Sequence, residues 1–371
     1  MTATVRHAVG SLLVVGLGAT ELTPLERAWL KLIRPAGIIL FKRNIADARQ
    51  TRSLLAESTA LCAAGSFRCV DLEGGIVDRL RDALAPTPSA QAVAKAAQAT
   101  GNSGLVREHG ELVARAVTVF GFNTTLAPVL DLALPASAAV MGTRAAASSA
   151  SGVVEFARSF LAGLAAHGVA GCGKHFPGLG GGSLDSHLET PAIHRSYQEL
   201  WSEDLFPYRE LHRELPMVMV SHAAYPDTPA GNLPSSASPF WITTVLRKRI
   251  GYRGIVFSDD LEMGGILKSM PIEEAAIGAI RAGMDLLEIC HNPELILRAF
   301  ESLISEAERS AAFRKLLLSR AAQSARKRSR LLTASDSKPL TNRQFEALRI
   351  RILRFGEKIA NAQPASEMQP E

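Results

Sequence analysis

Cysteine is scarce in this chain: Cys62, Cys69, Cys172 and Cys290 are the four in 371 residues. None stands in a Cys-x-x-Cys pair or a zinc-ligand cluster, so a disulfide scaffold and a zinc-finger fold are excluded. Three lie inside short apolar runs, where a free thiol behaves as a small hydrophobe, and a reduced, cytoplasmic protein is expected. No apolar stretch is long enough for a membrane span. The nearest approach, Ala8–Ala19 behind Arg6 and His7, superficially resembles an export signal, but glycines interrupt it and a helical Thr23–Ile33 follows. It is expected to stay in the fold as a first strand. Neither a phosphate loop nor a dinucleotide fingerprint is found, nor His-x-His or His-Glu-x-x-His, so no cofactor and no metal are expected. Charge of one sign is also in short supply, with a net +5. Much of the excess sits around Arg314–Arg330. That segment could face RNA or anionic lipid, but it reads more simply as a helix with leucines on one side and solvated Arg/Lys on the other. Neither a nucleic-acid nor a membrane partner is expected.

What is present is an ordinary globular balance, 47% hydrophobic and 21% charged, ordered as a regular series of short apolar runs. Candidate strands are Leu12–Leu17, Gly37–Phe41, Phe67–Asp71, Phe122–Ala127, Ala170–His175, Met217–His222, Ile255–Asp259 and Asp285–Cys290. Helical stretches separate them, including Asp47–Ala63, Val106–Phe120, Val153–His167, Glu199–Glu214 and Pro271–Ala282. Runs with little alternation suit strands buried on both faces. Eight such units predict a single (β/α)₈ barrel rather than an open doubly wound sheet, the alternative if one strand is miscounted. Further helices are expected at about Pro293–Leu332 and Asn342–Ala360. The reading is one domain over 1–362, with a polar, disordered tail at 363–371.

The polar residues fall at strand ends. Strand three ends in Asp71, followed by Glu73-Gly-Gly and Arg79; strand five in Lys174-His175-Phe-Pro-Gly; strand six in Ser221-His222; strand seven in Ser258-Asp259-Asp260. In a barrel these converge on the C-terminal mouth, where catalytic residues gather. One strand-end Asp is commonly a helix cap; four strands behaving alike are hard to assign to capping. The loop after strand five, 174–191, is rich in glycine and carries Asp185-Ser-His187. A carboxylate beside an imidazole suits acid–base work, although a surface turn would also carry such residues. Gly178, Gly180, Gly181 and Gly182 predict a mobile loop.

These motifs carry a resemblance. GIILFKRNI (37–45), VDLEGGIVDRLR (70–81), NTTLAPVLDL (123–132), MGTR (141–144), KHFPG (174–178), DSH (185–187) and IVFSDDLEM (255–263) resemble, in order and over most of the chain, glycoside hydrolase family 3. KHFPG followed by DSH is similar to its single-domain bacterial β-N-acetylglucosaminidases of peptidoglycan recycling. The resemblance implies a retaining hydrolase with Asp259 as nucleophile, His187 as acid/base and Asp185 as its carboxylate partner. It places Asp71, Arg79, Arg144, Lys174 and His175 on substrate-binding positions and assigns His222 no role. It implies a carbohydrate substrate, an N-acetylglucosamine-containing muropeptide or chito-oligosaccharide, and a monomer. Two positions depart from the family: Ile76 stands where arginine is common, and Leu179 where the loop often reads PGHG. Rival readings are a family 3 enzyme of other sugar specificity, a metal hydrolase using His175, His187, His222 and Asp259, and a sugar-binding protein without catalysis.

Overall fold

Helix starts are written into the sequence as caps. Thr23 and Glu26 form a reciprocal capping box with Pro24 at the first turn, and Asp47, Ser89, Ser149 and Ser310 each accept a backbone N–H of the helix that follows. Between these helices the apolar runs become strands. The computed structural model describes residues 2–182, 191–332 and 339–362. In chain order its strands are β1 Leu13–Gly16, β2 Gly37–Leu40, β3 Phe67–Val70, β4 Leu72–Gly74, β5 Val77–Asp78, β6 Thr124–Thr125, β7 Ala170–Phe176, β8 Met217–Val220, β9 Ile255–Asp260 and β10 Leu286–Ile289. Eight of them close into a parallel barrel in the order β1-β10-β9-β8-β7-β6-β3-β2, while β4 and β5 make a separate hairpin. This is the (β/α)₈ barrel expected.

Alternation along each strand explains why the runs look uniformly apolar. Val14, Ile39, Phe67, Cys69, Cys172, Met217, Met219, Phe257 and Leu286 fill one buried cluster. Their neighbours Leu13, Val15, Ile38, Leu40, Val70, Val218, Val256 and Leu287 join the larger cluster formed with the helices. Both faces of β1, β2, β3, β8, β9 and β10 are therefore covered. The Ala8–Ala19 run lies within the fold: its first three residues end a helix, Thr2–Gly10, and Val14 of β1 pairs with Glu288 on one side and Gly37 on the other. All four cysteines are free and buried. Among the described residues no helix is long and apolar enough to cross a membrane.

Several expected boundaries shift. Glu199–Glu214 is two helices, Tyr197–Ser202 and Phe206–Leu211, separated by a turn at 203–205, the second with Pro207 in its first turn. Pro293–Leu332 is also two helices, Pro293–Arg309 and Ala311–Leu331, broken at Ser310, which caps the second. The basic stretch is not a wholly solvated face. Arg328 is buried and donates to the Ser11 carbonyl, and Lys327 reaches the buried Asp285 carboxylate at 2.8 Å. The last helix, Asn342–Asn361, buries Leu348, Ile352, Phe355 and Ile359, with the Phe355 ring stacked on His109. The proposed tail, 363–371, lies outside the described residues.

Candidate active site

The strand ends meet at the barrel mouth. β3 delivers Asp71 and then turns into the β4–β5 hairpin, whose turn holds Gly74 at φ +97° and Gly75 at φ +60°. A Cβ on Gly74 would stand 2.1 Å from the Pro88 carbonyl oxygen, so only glycine fits there. Asp78 pins the hairpin by accepting from the Thr87 N–H at 2.9 Å and its hydroxyl at 2.8 Å. The hairpin thereby aims Glu73 inward. Ile76 projects from the same turn, 55% exposed.

Glu73 is the hub of a buried ion network. Its carboxylate accepts two bonds from Arg144, Nε at 2.8 Å and a terminal nitrogen at 2.9 Å. Lys174 Nζ lies 2.6 Å from Glu73 and 3.0 Å from Asp71, and Arg79 lies 3.8 Å from Asp71. Burial opposes ionisation of Glu73, but Arg144 and Lys174 outweigh it and hold its carboxyl far below the ordinary value. The same pairing overcomes burial at Lys174 and Arg144 and raises both.

His175 is held from the other side. Its backbone N–H and its ring Nδ1 both contact Asp131 Oδ2, at 3.2 and 2.7 Å, and the Leu179 N–H donates to Asp131 Oδ1 at 2.7 Å. A carboxylate only accepts, so Nδ1 carries the proton and Nε2 is turned toward Arg144 at 3.4 Å. His222 is likewise spoken for: Nε2 donates to the Asp260 carbonyl at 2.9 Å and Nδ1 meets the Ser236 hydroxyl at 2.7 Å. Burial lowers the His222 pKa against the pull of Asp259, favouring the neutral ring. Asp259 sits at the end of β9 and receives the Asp260 N–H at 3.0 Å. Burial would raise its pKa, but His175, His222 and Lys174 together lower it, so the carboxylate is ionised.

The structure thus brings together Asp71, Arg79, Arg144, Lys174, His175 and Asp259. Asp185 and His187 lie outside the described residues. Sequence reasoning missed Glu73 and Asp131, which organise the others; both were inside recognised motifs but gave no sign that Glu73 is buried between two cations or that Asp131 holds the His175 ring. The glycines expected to loosen the strand-five loop act otherwise where it is described. A Cβ on Gly178, Gly180 or Gly181 would approach Asp204, Leu132 or Arg195 within 2.6, 2.9 and 2.7 Å, so they permit close packing. Leu179 is buried among core side chains. The metal reading loses two of its ligands, because His222 has both ring nitrogens engaged and His175 faces the Arg144 guanidinium.

The ionised Asp259 at the end of β9 thus stands beside a set of rigid donors at the mouth of a (β/α)₈ barrel, the place where barrel enzymes carry their chemistry. The family model described as Glycosyl hydrolase family 3 N terminal domain matches residues 4–317. The chain belongs to glycoside hydrolase family 3 and is a glycoside hydrolase. A beta-hexosaminidase of Alkalilimnicola ehrlichii is 38% identical, over 76% of this chain and 82% of its own length. One from Stenotrophomonas maltophilia is 34% identical, over 82% and 91%. Among solved structures, NagZ from Neisseria gonorrhoeae superposes with a TM-score of 0.75 at 28% identity, covering 95% of this chain and 98% of that one. A family 3 β-N-acetylglucosaminidase from a Paenibacillus strain gives 0.84 at 28% identity, covering 94% and 68%.

Proposed function

We propose that this enzyme is a retaining β-N-acetylhexosaminidase that releases terminal, non-reducing β-linked N-acetylglucosamine. Its substrates are muropeptide fragments of peptidoglycan or chito-oligosaccharides, met in the cytoplasm by a monomeric enzyme. The observation that carries the reading is the ionised Asp259 facing Lys174, His175 and His222 at the barrel mouth. Asp259 attacks the anomeric carbon, the glycosidic C–O bond breaks, and a glycosyl-enzyme forms. His187, oriented by Asp185, gives its proton to the leaving oxygen and then takes one from the incoming water. Asp71, Arg79, Arg144, Lys174 and His175 hold the sugar hydroxyls, which reduces the entropic cost of reaching the transition state. The relatives' activity supports the sugar class, and the KHFPG…DSH spacing supports the acid/base assignment.

The test separates the two roles. Asp259→Ala is expected to abolish turnover of every substrate. His187→Ala is expected to lose far more activity on a chitobiose-type disaccharide than on an activated aryl glycoside, to accumulate a glycosyl adduct at Asp259 by intact-protein mass, and to be rescued by azide. Asp185→Ala is expected to show a milder form of the same defect. Equal slowing for all leaving groups, with neither adduct nor rescue, would remove His187 from the mechanism. Release of p-nitrophenol from the N-acetyl-β-glucosaminide is expected to survive EDTA.

A further inference from the structure

Beside the sugar-binding cluster, on the β10 side of the mouth, stands a second group of ligating side chains that the hydrolytic mechanism does not use. Asp260, Cys290 and His291 each offer one donor atom, and these atoms all lie within 4.8 Å of one another. His291 Nδ1 is 3.3 Å from Asp260 Oδ2 and 3.6 Å from Glu262 Oε2. Glu262 is fixed by its other oxygen, which accepts the His291 and Asn292 N–H groups at 3.0 and 2.8 Å. A further carboxylate points at the group from beneath. Glu288, cross-strand from Asp260, accepts from Cys290 Sγ at 3.2 Å. Its second oxygen is buried without a hydrogen-bond partner among the described residues, in a side chain only 3% exposed.

We propose that Asp260, Cys290 and His291, with Glu262 as the nearest additional donor, form a binding site for a thiophilic divalent cation of the zinc class. The donor set decides the class: a thiolate and an imidazole select zinc over magnesium or calcium, which take oxygen ligands. Bonds of about 2.0–2.3 Å put ligands roughly 3.5 Å apart across a zinc tetrahedron. The cluster therefore has to contract by about 1 Å, a movement within reach of a half-exposed His291 side chain. Acidic side chains surround the position, Asp260, Glu262 and Glu288, and Arg43 is held beside it, donating to the Cys290 carbonyl at 2.7 Å and lying 4.8 Å over the Phe41 ring. His291 lies partly in solvent and gives the ion a way in.

The test is metal binding by the full chain after chelator treatment and desalting. Zinc is titrated against a chromophoric indicator, and cobalt(II) is used as a spectroscopic stand-in. One equivalent is expected, with a thiolate-to-cobalt charge-transfer band. His291→Asn, at an exposed position that leaves the core intact, is expected to weaken binding at least about tenfold, the scale seen when groups around a metal are lost. Cys290→Ser is expected to remove the charge-transfer band, whereas Cys62→Ser leaves it. Stoichiometric binding without a thiolate band, or binding unchanged by His291→Asn but lost in His187→Ala, would place the metal elsewhere and overturn the proposal. Failure to bind one equivalent would overturn it too.

Discussion

Replacing Glu73 by glutamine tests the site's architecture directly. The side chain keeps its shape and one acceptor but loses its charge, and its new amide N–H₂ must face either Lys174 or Arg144, which are themselves donors. Glu73 and Lys174 side chains are 2% and 4% exposed and Arg144 14%, so water screens little of the imbalance. Removing one partner from a buried ion pair costs about 3–5 kcal/mol. An unfolding entropy of about 2.1 cal/mol/K per residue gives roughly 0.8 kcal/mol/K for a chain of 371 residues. The melting temperature should therefore fall by about 4–6 °C at neutral pH.

The loss should also depend on pH in a defined direction. Because Glu73 is held below its ordinary value of 4.5, its stabilising contribution is complete above that value and is lost as the pH falls beneath it. The gap between wild type and Glu73→Gln, followed by circular dichroism melts, should be widest near neutrality and narrow in acid. Turnover should suffer as well, since the two cations proposed to hold the sugar lose their common anchor; a misplacement of about 1 Å costs on the order of 100-fold. A variant as stable as wild type at neutral pH, or a gap that does not change with pH, would refute the reasoning.

Asp131→Asn leaves one of three N–H groups without its acceptor and should cost about 1.5–3 kcal/mol of transition-state binding, read as kcat/KM. An unchanged kcat/KM would show that Asp131 does not position His175 for the substrate. Gly74→Ala, forced into φ +97° with its Cβ against Pro88, should destabilise by at least about 2 kcal/mol in urea unfolding. Gly101→Ala, at φ +65° in open space, should cost no more than about 1–2 kcal/mol, and equal losses would sink the steric argument. With an activated fluoride leaving group no acid is required, so the pH dependence of glycosylation should report Asp259 alone. The rate should hold until the pH passes below the ordinary aspartate value of 3.8; a fall well above it would contradict the lowered pKa.

The barrel was legible because parallel strands buried on both faces read as uninterrupted apolar runs, and because their ends carry the polar residues. Where the reading slipped, a specific interaction had won over the pattern. Phe122–Ala127 keeps only Thr124–Thr125 as regular strand, because Pro128 brings no N–H to the ladder, although Val129 still bridges Lys174 beyond it. Glu199–Glu214 looks like one amphipathic helix until the buried Asp204, bound to Arg195 at 2.7 Å, and Pro207 interrupt it. The hairpin β4–β5 is too short to stand out, and its glycines read equally well as a plain turn.

The site was legible as a place but not as a circuit. Strand-end position says that Asp71, Lys174 and Asp259 share a mouth; it does not say which carboxylates are left for a substrate and which are consumed by neighbouring cations. Charge counting would have narrowed that choice. Lys174 and Arg144 converge on one buried point, and a buried cation is tolerated only with a partner. If Asp259 is to stay free for a sugar, Asp71 alone cannot satisfy both, so another buried carboxylate has to exist nearby. Glu73, two residues beyond Asp71 and followed by two glycines that let the chain turn back, is the acid that the turn carries inward. The same logic applied to His175 requires an acceptor for its ring proton, which Asp131 supplies from the segment that follows β6. The residues that touch a substrate and those that hold them are thus separated by charge balance.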